Sequence, residues 1–137
     1  MATNALNHVQ FNVSPTNLDY YQRLLTQLGF DVPEAEGYVA GFGNGVSLWF
    51  MGTDVSEQQD HDHRGVNHLG LNAETVAEVD AVAVFLPEIG AEALFETPRR
   101  RDDFIGGGET DYYQVMFRSP DGILFEVVYT GPLAKDA

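Results

Sequence analysis

Two histidines hold equivalent places in two copies of one short motif. The first copy spans residues 6–13 (LNHVQFNV), and the second spans residues 66–73 (VNHLGLNA), sixty residues later. In each copy Asn immediately precedes the histidine, an apolar residue follows it, and a second Asn lies four places beyond it. Imidazole is the commonest side-chain ligand for metal ions and also moves protons near neutral pH. His8 and His68 are therefore candidate metal ligands.

Each copy of the motif alternates apolar and polar residues, as a strand with one buried face does. The apolar faces consist of Val9, Phe11 and Val13 in the first copy and of Leu69, Leu71 and Ala73 in the second. Each histidine lies on the opposite face of its strand. If the two strands are related by a pseudo-two-fold axis, we expect the imidazoles to converge.

Glu126 is the third candidate ligand, because it is the only charged residue in the apolar run 123–129 (ILFEVVY). A buried carboxylate must be compensated by a cation, by hydrogen bonds or by protonation. A lone buried Glu often pairs with an arginine, and a lone strand histidine is usually structural. Together, however, His8, His68 and Glu126 form a two-histidine, one-carboxylate set, which leaves coordination positions open for substrate, water or O₂.

Composition limits the classes of function. The chain has 137 residues, which suits one domain, and its 21 acidic and 7 basic residues give a formal charge of −14. That charge opposes binding to nucleic acid or to an anionic membrane, and is typical of a solvated acidic surface. No cysteine is present, so a metal must take nitrogen and oxygen ligands. Without a signal-like start or a long apolar stretch, we expect a soluble, cytoplasmic protein.

The first motif opens a module of residues 4–51 that reads β-α-β-β-β. Ser14-Pro15 is a helix start, a stripe at Leu18, Tyr21, Leu25 and Leu28 predicts one buried helical face, and Gly29 ends the helix. Three short strands are predicted at residues 30–32, 38–42 and 46–51, separated by proline and glycine turns. The helical stripe is interpreted as core rather than as a cofactor site.

Residues 52–65 form a predicted linker without apolar periodicity. Its His61 and His63, in the stretch DHDH, allow a metal interpretation, but a flexible polar loop is favoured because no strand or helix is predicted to hold these side chains. The linker therefore contributes no residue to the predicted site.

The second module, residues 66–130, repeats the order of the first. Thr75 and Glu78 form a capping box before a helix, and strands are predicted at residues 91–95, 112–117 and 123–129. An insertion at 99–109 contains Arg99–Arg101, which either balance surface charge or clamp an anion. Its Gly106–Gly108 run is interpreted as a mobile flap or turn, because a phosphate loop would precede a helix.

Aligning the last strands of the modules places Gly45 on Gly122 and Trp49 on Glu126. The first module therefore offers an indole where the second offers a carboxylate, and we predict three protein ligands. The paired modules, the Asn-His starts and the turn at 119–122 before Glu126 resemble the vicinal oxygen chelate superfamily, which includes glyoxalase I, extradiol dioxygenases, fosfomycin-resistance enzymes and bleomycin-binding proteins. The resemblance covers residues 6–129.

The resemblance implies an α+β fold in which two β-α-β-β-β modules pair into an open, cup-shaped mixed sheet, forming one domain over residues 1–137. It implies a divalent metal ion held by His8, His68 and Glu126, with Fe(II) favoured over Zn, Ni or Mn. A homodimer is expected, and the modules could pair within one chain or be exchanged between two chains.

Departures from the family pattern narrow the expected reaction. Trp49 replaces the carboxylate that a glyoxalase-I-like site adds, so an extradiol-dioxygenase-like reaction is favoured over a glyoxalase-like lyase or isomerase. However, Met116 stands where dioxygenases and fosfomycin-resistance enzymes carry a Tyr ten residues before the metal Glu, and no histidine lies between His68 and Glu126. The alternative is a binding protein of the bleomycin-resistance type, without catalysis.

The expected substrate is a small, oxygen-chelating and possibly planar aromatic molecule. Strand alternation places Tyr112 and Gln114 on one face with Met116, and the resemblance implies that this face lines the cup. Tyr112 is either a proton donor or acceptor, or an aromatic residue at the rim. The predicted substrate-binding residues are Gln10, Phe42, Trp49, Tyr112, Gln114 and Met116.

Overall fold

The structure is a computed structural model that describes residues 5–101 and 110–132, and it divides into two compact units. One unit comprises residues 1–57 and the other residues 58–137. The predicted Gly106–Gly108 turn lies outside the described residues. Each unit contains one mixed β-sheet and one α-helix, so the predicted α+β class is confirmed.

The first unit contains β1 (His8–Val13), α1 (Leu18–Gln27), β2 (Tyr38–Gly43) and β3 (Val46–Gly52). Its sheet has the order β1-β3-β2, with β1 parallel and β2 antiparallel to β3. A short 3-10 turn at Pro15–Asn17 precedes α1, as the Ser14-Pro15 start predicts. The core forms where Tyr21 of α1 stacks on Phe50 of β3, with ring centroids 4.1 Å apart.

The strand predicted at residues 30–32 is wrong. Only Asp31 forms a bridge there, to Phe42. Pro33 follows this bridge and has no N–H with which to extend the ladder. The described part of the first unit is therefore β-α-β-β.

The second unit contains β4 (Leu69–Ala73), α2 (Val76–Phe85), β5 (Leu94–Arg100), β6 (Thr110–Arg118) and β7 (Leu124–Pro132). Its sheet has the order β4-β7-β6-β5, and β4 is parallel to β7. The predicted cap of α2 is confirmed, because the Thr75 hydroxyl accepts from the Glu78 N–H at 3.1 Å. None of the helices in the described ranges is long and apolar enough to cross a membrane.

The strand predicted at residues 91–95 is shifted, because β5 begins at Leu94 and continues through Arg100. The Ala91 N–H binds the Leu86 carbonyl at 3.0 Å, after Gly90 turns the chain with φ 71°. This closure ties Ala91 to the end of the preceding helical segment, so it cannot join the ladder. Arg99 and Arg100 are consequently strand residues rather than part of an insertion.

The duplicated motif occupies matching registers in the two sheets. Gln10, two residues after His8, pairs with Trp49, and Gly70, two residues after His68, pairs with Glu126. The predicted alignment of Trp49 with Glu126 is therefore confirmed. Exposure also alternates along β1 and β4, with the apolar side chains more buried than their polar neighbours.

The turn at residues 119–122 is packed against the start of the second unit. The Gln58 amide donates to the Pro120 carbonyl at 3.0 Å, and the Gln59 amide donates to the Val66 carbonyl at 3.1 Å. A Cβ atom on Gly122, where φ is 84°, would collide with the Gln59 carbonyl oxygen. Glycine at 122 is required both by its backbone conformation and by this close approach.

We expect Gly122→Ala to destabilise the protein more than Gly90→Ala. Both glycines have positive φ, but nothing lies within 4 Å of the Cβ position at Gly90. Each alanine should lose about 1 kcal/mol through its backbone conformation, and Gly122→Ala should lose about 1–3 kcal/mol more through overpacking. Urea unfolding of the two variants measures the difference, and equal midpoints would show that the Gln59 contact is unimportant.

Candidate metal and substrate site

A cavity of about 440 Å³ opens on one face of the second unit's sheet. His68 and Glu126 both line it, so the structure brings together two of the three predicted metal ligands. The predicted substrate residues of this unit also line it, which confirms that they share a face. The cavity is lined by His61, Asp62, Asn67, His68, Phe95, Arg101, Tyr112, Gln114, Met116, Leu124 and Glu126.

Glu126 is buried, with 5% of its surface exposed, and is held by neutral donors. The Tyr112 hydroxyl donates to the two carboxylate oxygens at 3.0 Å each, and the Gln114 amide donates to Oε2. No lysine or arginine of residues 5–101 and 110–132 forms an ion pair with Glu126. Within those residues the carboxylate is therefore compensated by hydrogen bonds from neutral groups rather than by an ion pair.

Gly70 leaves space beside this carboxylate. A Cβ atom at Gly70 would lie 3.3 Å from Oε1 of Glu126. Because Gly70 and Glu126 are paired across β4 and β7, any side chain at position 70 would point toward the carboxylate. The absence of one keeps the oxygen accessible from the β4 side.

Tyr112 retains its proton over the physiological range. Burial, the hydrogen bond to Glu126 and the charge of Glu126 together raise the pKa of Tyr112 to about 12, against a smaller lowering by Arg101. A phenol with that pKa donates hydrogen bonds at neutral pH and does not act as a base. Of the two predicted functions of Tyr112, the structure therefore favours that of a donor over that of an acceptor.

Both motif histidines are exposed and bind the preceding asparagine. Nδ1 of His8 lies 2.7 Å from Asn7 Oδ1, and Nδ1 of His68 lies 2.8 Å from Asn67 Oδ1. Neither Nε2 atom makes a hydrogen bond or ion pair with a described residue. Within neither unit do three His, Asp or Glu side chains of the described chain form a cluster that could hold a metal ion. The three-residue ligand set stays a prediction.

The remaining predicted substrate residues lie on the His8 face of the first unit's sheet. Trp49 pairs with Gln10 across the sheet, and its indole N–H donates to Ser47 at 2.9 Å. The indole stacks on Tyr38 with centroids 5.6 Å apart, and Phe42 meets it edge-on at 5.7 Å. Gln10, Phe42 and Trp49 thus belong to an aromatic surface with a polar border.

Comparison with known proteins finds similar sequences and structures, although no protein-family model matches the chain. The chain is 29% identical over 140 residues to a metallothiol transferase, FosB, from Shouchella clausii, with 96% of this chain and 84% of that protein covered. A Bacillus halodurans structure assigned to the glyoxalases matches with 25% identity and a TM-score of 0.73, covering 90% of this chain and 94% of that one. A glyoxalase/bleomycin resistance protein from Albidiferax ferrireducens matches with 20% identity and a TM-score of 0.71, covering 90% and 98%. The chain has the fold of the vicinal oxygen chelate superfamily.

The vicinal oxygen chelate resemblance inferred from the duplicated motif is thereby confirmed. The structure adds one cavity residue, His61, which the sequence alone assigns to a flexible polar loop. Its side chain is 13% exposed, with Nδ1 3.4 Å from the Arg118 guanidinium and Nε2 3.5 Å from Asp62. No periodicity surrounds His61, so no local sequence pattern signals its burial.

The linker interpretation holds for His63, whose side chain is 77% exposed and lies 3.3 Å from Asp60. His61 and His63 are two residues apart in the sequence, but their environments differ, because only the His61 side chain lines the cavity. The metal interpretation of the DHDH stretch as a unit therefore gains no support.

The three consecutive arginines have three separate environments. Arg100 forms a bidentate pair with Asp111, with bonds of 2.7 and 3.0 Å, and lies over the Tyr113 ring. Arg99 lies 4.0 Å from Glu96, and Arg101 lines the cavity with Nη1 3.4 Å from Gln114 Oε1. They do not form one clamp, because Arg100 points to the opposite face of β5 from its neighbours.

We expect Arg100→Ala to destabilise the protein by about 3 kcal/mol, because it removes the cation that forms a bidentate pair with a buried carboxylate. The Asp111 side chain is fully buried, whereas that of Arg100 is 30% exposed. Arg64→Ala, at an exposed linker arginine, is the control and should change stability by less than about 0.5 kcal/mol. Denaturant unfolding measures both, and comparable losses would show that the Arg100–Asp111 pair contributes little.

Alkaline titration should place the pKa of Tyr112 well above the ordinary value. Ultraviolet difference spectra of wild type and Tyr112→Phe isolate its phenolate signal, which should emerge near pH 12. In Glu126→Gln the pKa should fall, because the carboxylate charge is removed while burial persists. Since the folded pKa exceeds the unfolded one, the stability that this proton contributes is present below about pH 10 and is lost between about pH 10 and pH 12. A normal titration near pH 10 in the folded wild type would contradict the described hydrogen bonds.

Proposed function

We propose that this protein is a metal-dependent enzyme that acts on a small substrate through two of the substrate's oxygen atoms. The proposed ligands are His8, His68 and Glu126. The fold and the FosB relative support a metal-dependent activity, since FosB is described as a metallothiol transferase. The reaction favoured here is an extradiol-dioxygenase-like oxidation with Fe(II), in keeping with three protein ligands and open positions.

One observation carries the proposal: Glu126 is buried in a cavity that His68 also lines, and it has no lysine or arginine partner among the described residues. Burial of an ionised carboxylate is costly, and structural carboxylates usually recover that cost through an ion pair. Here the carboxylate is kept in place by a phenol and an amide, which orient it through hydrogen bonds without forming an ion pair. That arrangement suits an oxygen ligand for a divalent cation.

The residues fit a metal ion by their chemistry. Two imidazoles with unengaged Nε2 atoms and one carboxylate are ligands that Fe(II), Mn(II), Ni(II) and Zn(II) all accept. When bound, such an ion would supply Lewis acidity or the site for O₂. Gly70 supports the fit, because a larger side chain there would fill the space next to the carboxylate oxygen.

The chain's own residues would orient the substrate and supply a proton. Tyr112 would donate a hydrogen bond or a proton to a substrate oxygen, because its phenol remains protonated at neutral pH. Gln114 and Met116 would contact the substrate on the same sheet face. Gln10, Phe42 and Trp49 would provide an aromatic surface for a planar substrate.

A second candidate is metal-dependent transfer of a thiol to a small electrophile, which the FosB relative favours. The chain has no cysteine, so the thiol would have to come from a second substrate. Consumption of O₂ with catechols distinguishes the first candidate, and consumption of a small thiol distinguishes the second.

Metal analysis of the purified protein tests the proposal. After reconstitution with Fe(II), Mn(II), Ni(II) and Zn(II) in separate samples, we expect about one equivalent bound per chain. His68→Ala and Glu126→Gln should each lower metal affinity at least about 10-fold, whereas His63→Ala, at an exposed histidine, should not change it.

Less than about a tenth of an equivalent in every reconstituted wild-type sample would rule out the metalloenzyme. Retained affinity for an aromatic ligand in a His8→Ala, His68→Ala double variant would instead support a binding protein without catalysis. An Fe(II) signal that responds to anaerobic catechol or nitric oxide would select the oxygenase.

A further inference from the structure

The asparagine that precedes each motif histidine contacts that histidine in the same way. In the first unit Asn7 Oδ1 lies 2.7 Å from His8 Nδ1, and in the second Asn67 Oδ1 lies 2.8 Å from His68 Nδ1. The same contact therefore occurs twice, at equivalent positions in separate units. A chance surface contact between exposed neighbours would not be expected to repeat with the same atoms.

The hydrogen bonds around Asn67 determine which nitrogen of His68 carries the proton. Asn67 Nδ2 donates to the backbone carbonyl of His61 at 2.8 Å, and a carbonyl can only accept. The other end of the amide, Oδ1, is thus the atom that faces His68, and it too can only accept. Nδ1 of His68 must therefore be the donor, and the neutral imidazole has its lone pair on Nε2.

Asn7 has the same orientation toward His8, and its backbone is fixed by the sheet. The Ser47 N–H donates to the Asn7 carbonyl at 3.0 Å, which holds Asn7 at the start of the β1–β3 ladder. With Oδ1 toward His8, Nδ1 of that imidazole is again the donor. Both histidines thus present Nε2 as the atom able to bind a cation.

We propose that Asn7 and Asn67 are positioning residues, which hold His8 and His68 in the Nδ1–H tautomer with Nε2 available to a divalent metal ion. This inference rests on the proposed metal-dependent function. An exposed imidazole otherwise rotates about its side-chain bonds and favours the Nε2–H tautomer in water, and both effects oppose coordination through Nε2. The hydrogen bond from Nδ1 to the asparagine removes both costs and raises the basicity of Nε2, the coordinating nitrogen.

Asn67 has an additional connection that Asn7 lacks in the described contacts. Its amide joins His68 to the segment that carries His61, another residue of the same cavity. Displacement of that segment would therefore disturb the orientation of His68. We expect substitution of Asn67 to affect its histidine at least as strongly as substitution of Asn7 affects His8.

Nitrogen-15 NMR of the metal-free protein at neutral pH tests the tautomers directly. In wild type, both imidazoles should show the Nδ1–H pattern. Asn7→Ala and Asn67→Ala should each shift the neighbouring histidine toward Nε2–H, whereas Asn7→Asp should keep Nδ1–H because the carboxylate still accepts. Asn72→Ala is the matched control, since Asn72 is the exposed second asparagine of the same motif.

Calorimetric titration with Ni(II) and Zn(II) tests the consequence for coordination. Asn7→Ala and Asn67→Ala should each weaken metal binding by about 10- to 100-fold, Asn7→Asp should restore wild-type affinity, and Asn72→Ala should match wild type. Thermal unfolding should show all variants folded, because these asparagines are exposed.

Two failures are distinguishable. If the wild type binds metal but both alanine variants keep the Nδ1–H pattern and wild-type affinity, the positioning role is wrong while the metalloenzyme survives. If the wild type binds neither Ni(II) nor Zn(II), the proposed function and the inference built on it both fall.

Discussion

The parallel pairing of the motif strand with the last strand of each unit is the constraint on which the rest depends. β1 pairs with β3 and β4 with β7, so the residue two places after each histidine lies directly beside one position of the last strand. Parallel neighbours in register share a face of the sheet. The histidine, the residue two places after it and the side chain opposite that residue are therefore brought to the same surface, although the last strand lies far from the motif in the sequence.

Within the second unit, this pairing places the buried carboxylate of Glu126 in the lining of the cavity. Glu126 lies between Gly70 and Met116, which offer it no polar group, so its hydrogen bonds come from Tyr112 and Gln114 farther along β6. Arg100 is engaged by Asp111 on the opposite face, and Arg101, which lines the cavity, contacts the Gln114 side chain. Glu126 is therefore held by hydrogen bonds from neutral groups.

The two units use one backbone arrangement for different chemistry. Where the second unit places Glu126, the first places Trp49, and its neighbours Tyr38 and Phe42 extend an aromatic surface. The two sheets share the same register, but the side chains at equivalent positions differ. Fold likeness to glyoxalase and bleomycin-resistance proteins accordingly describes the scaffold, and the reaction depends on these particular side chains.

Four features can be predicted from the amino-acid sequence alone, because each depends on local periodicity or on residue type. They are the duplication, the alternating faces of β1 and β4, the cap of α2 and the unusual position of Glu126. Three features become visible only in the folded chain: the groups that compensate Glu126, the separate environments of Arg99–Arg101, and the position of His61 in the cavity. The strand predicted at 91–95 instead begins at Leu94, and the strand predicted at 30–32 is a single bridge. These outcomes depend on contacts between distant residues, such as the Gln58 and Gln59 anchors of the His61 segment, which no local pattern encodes.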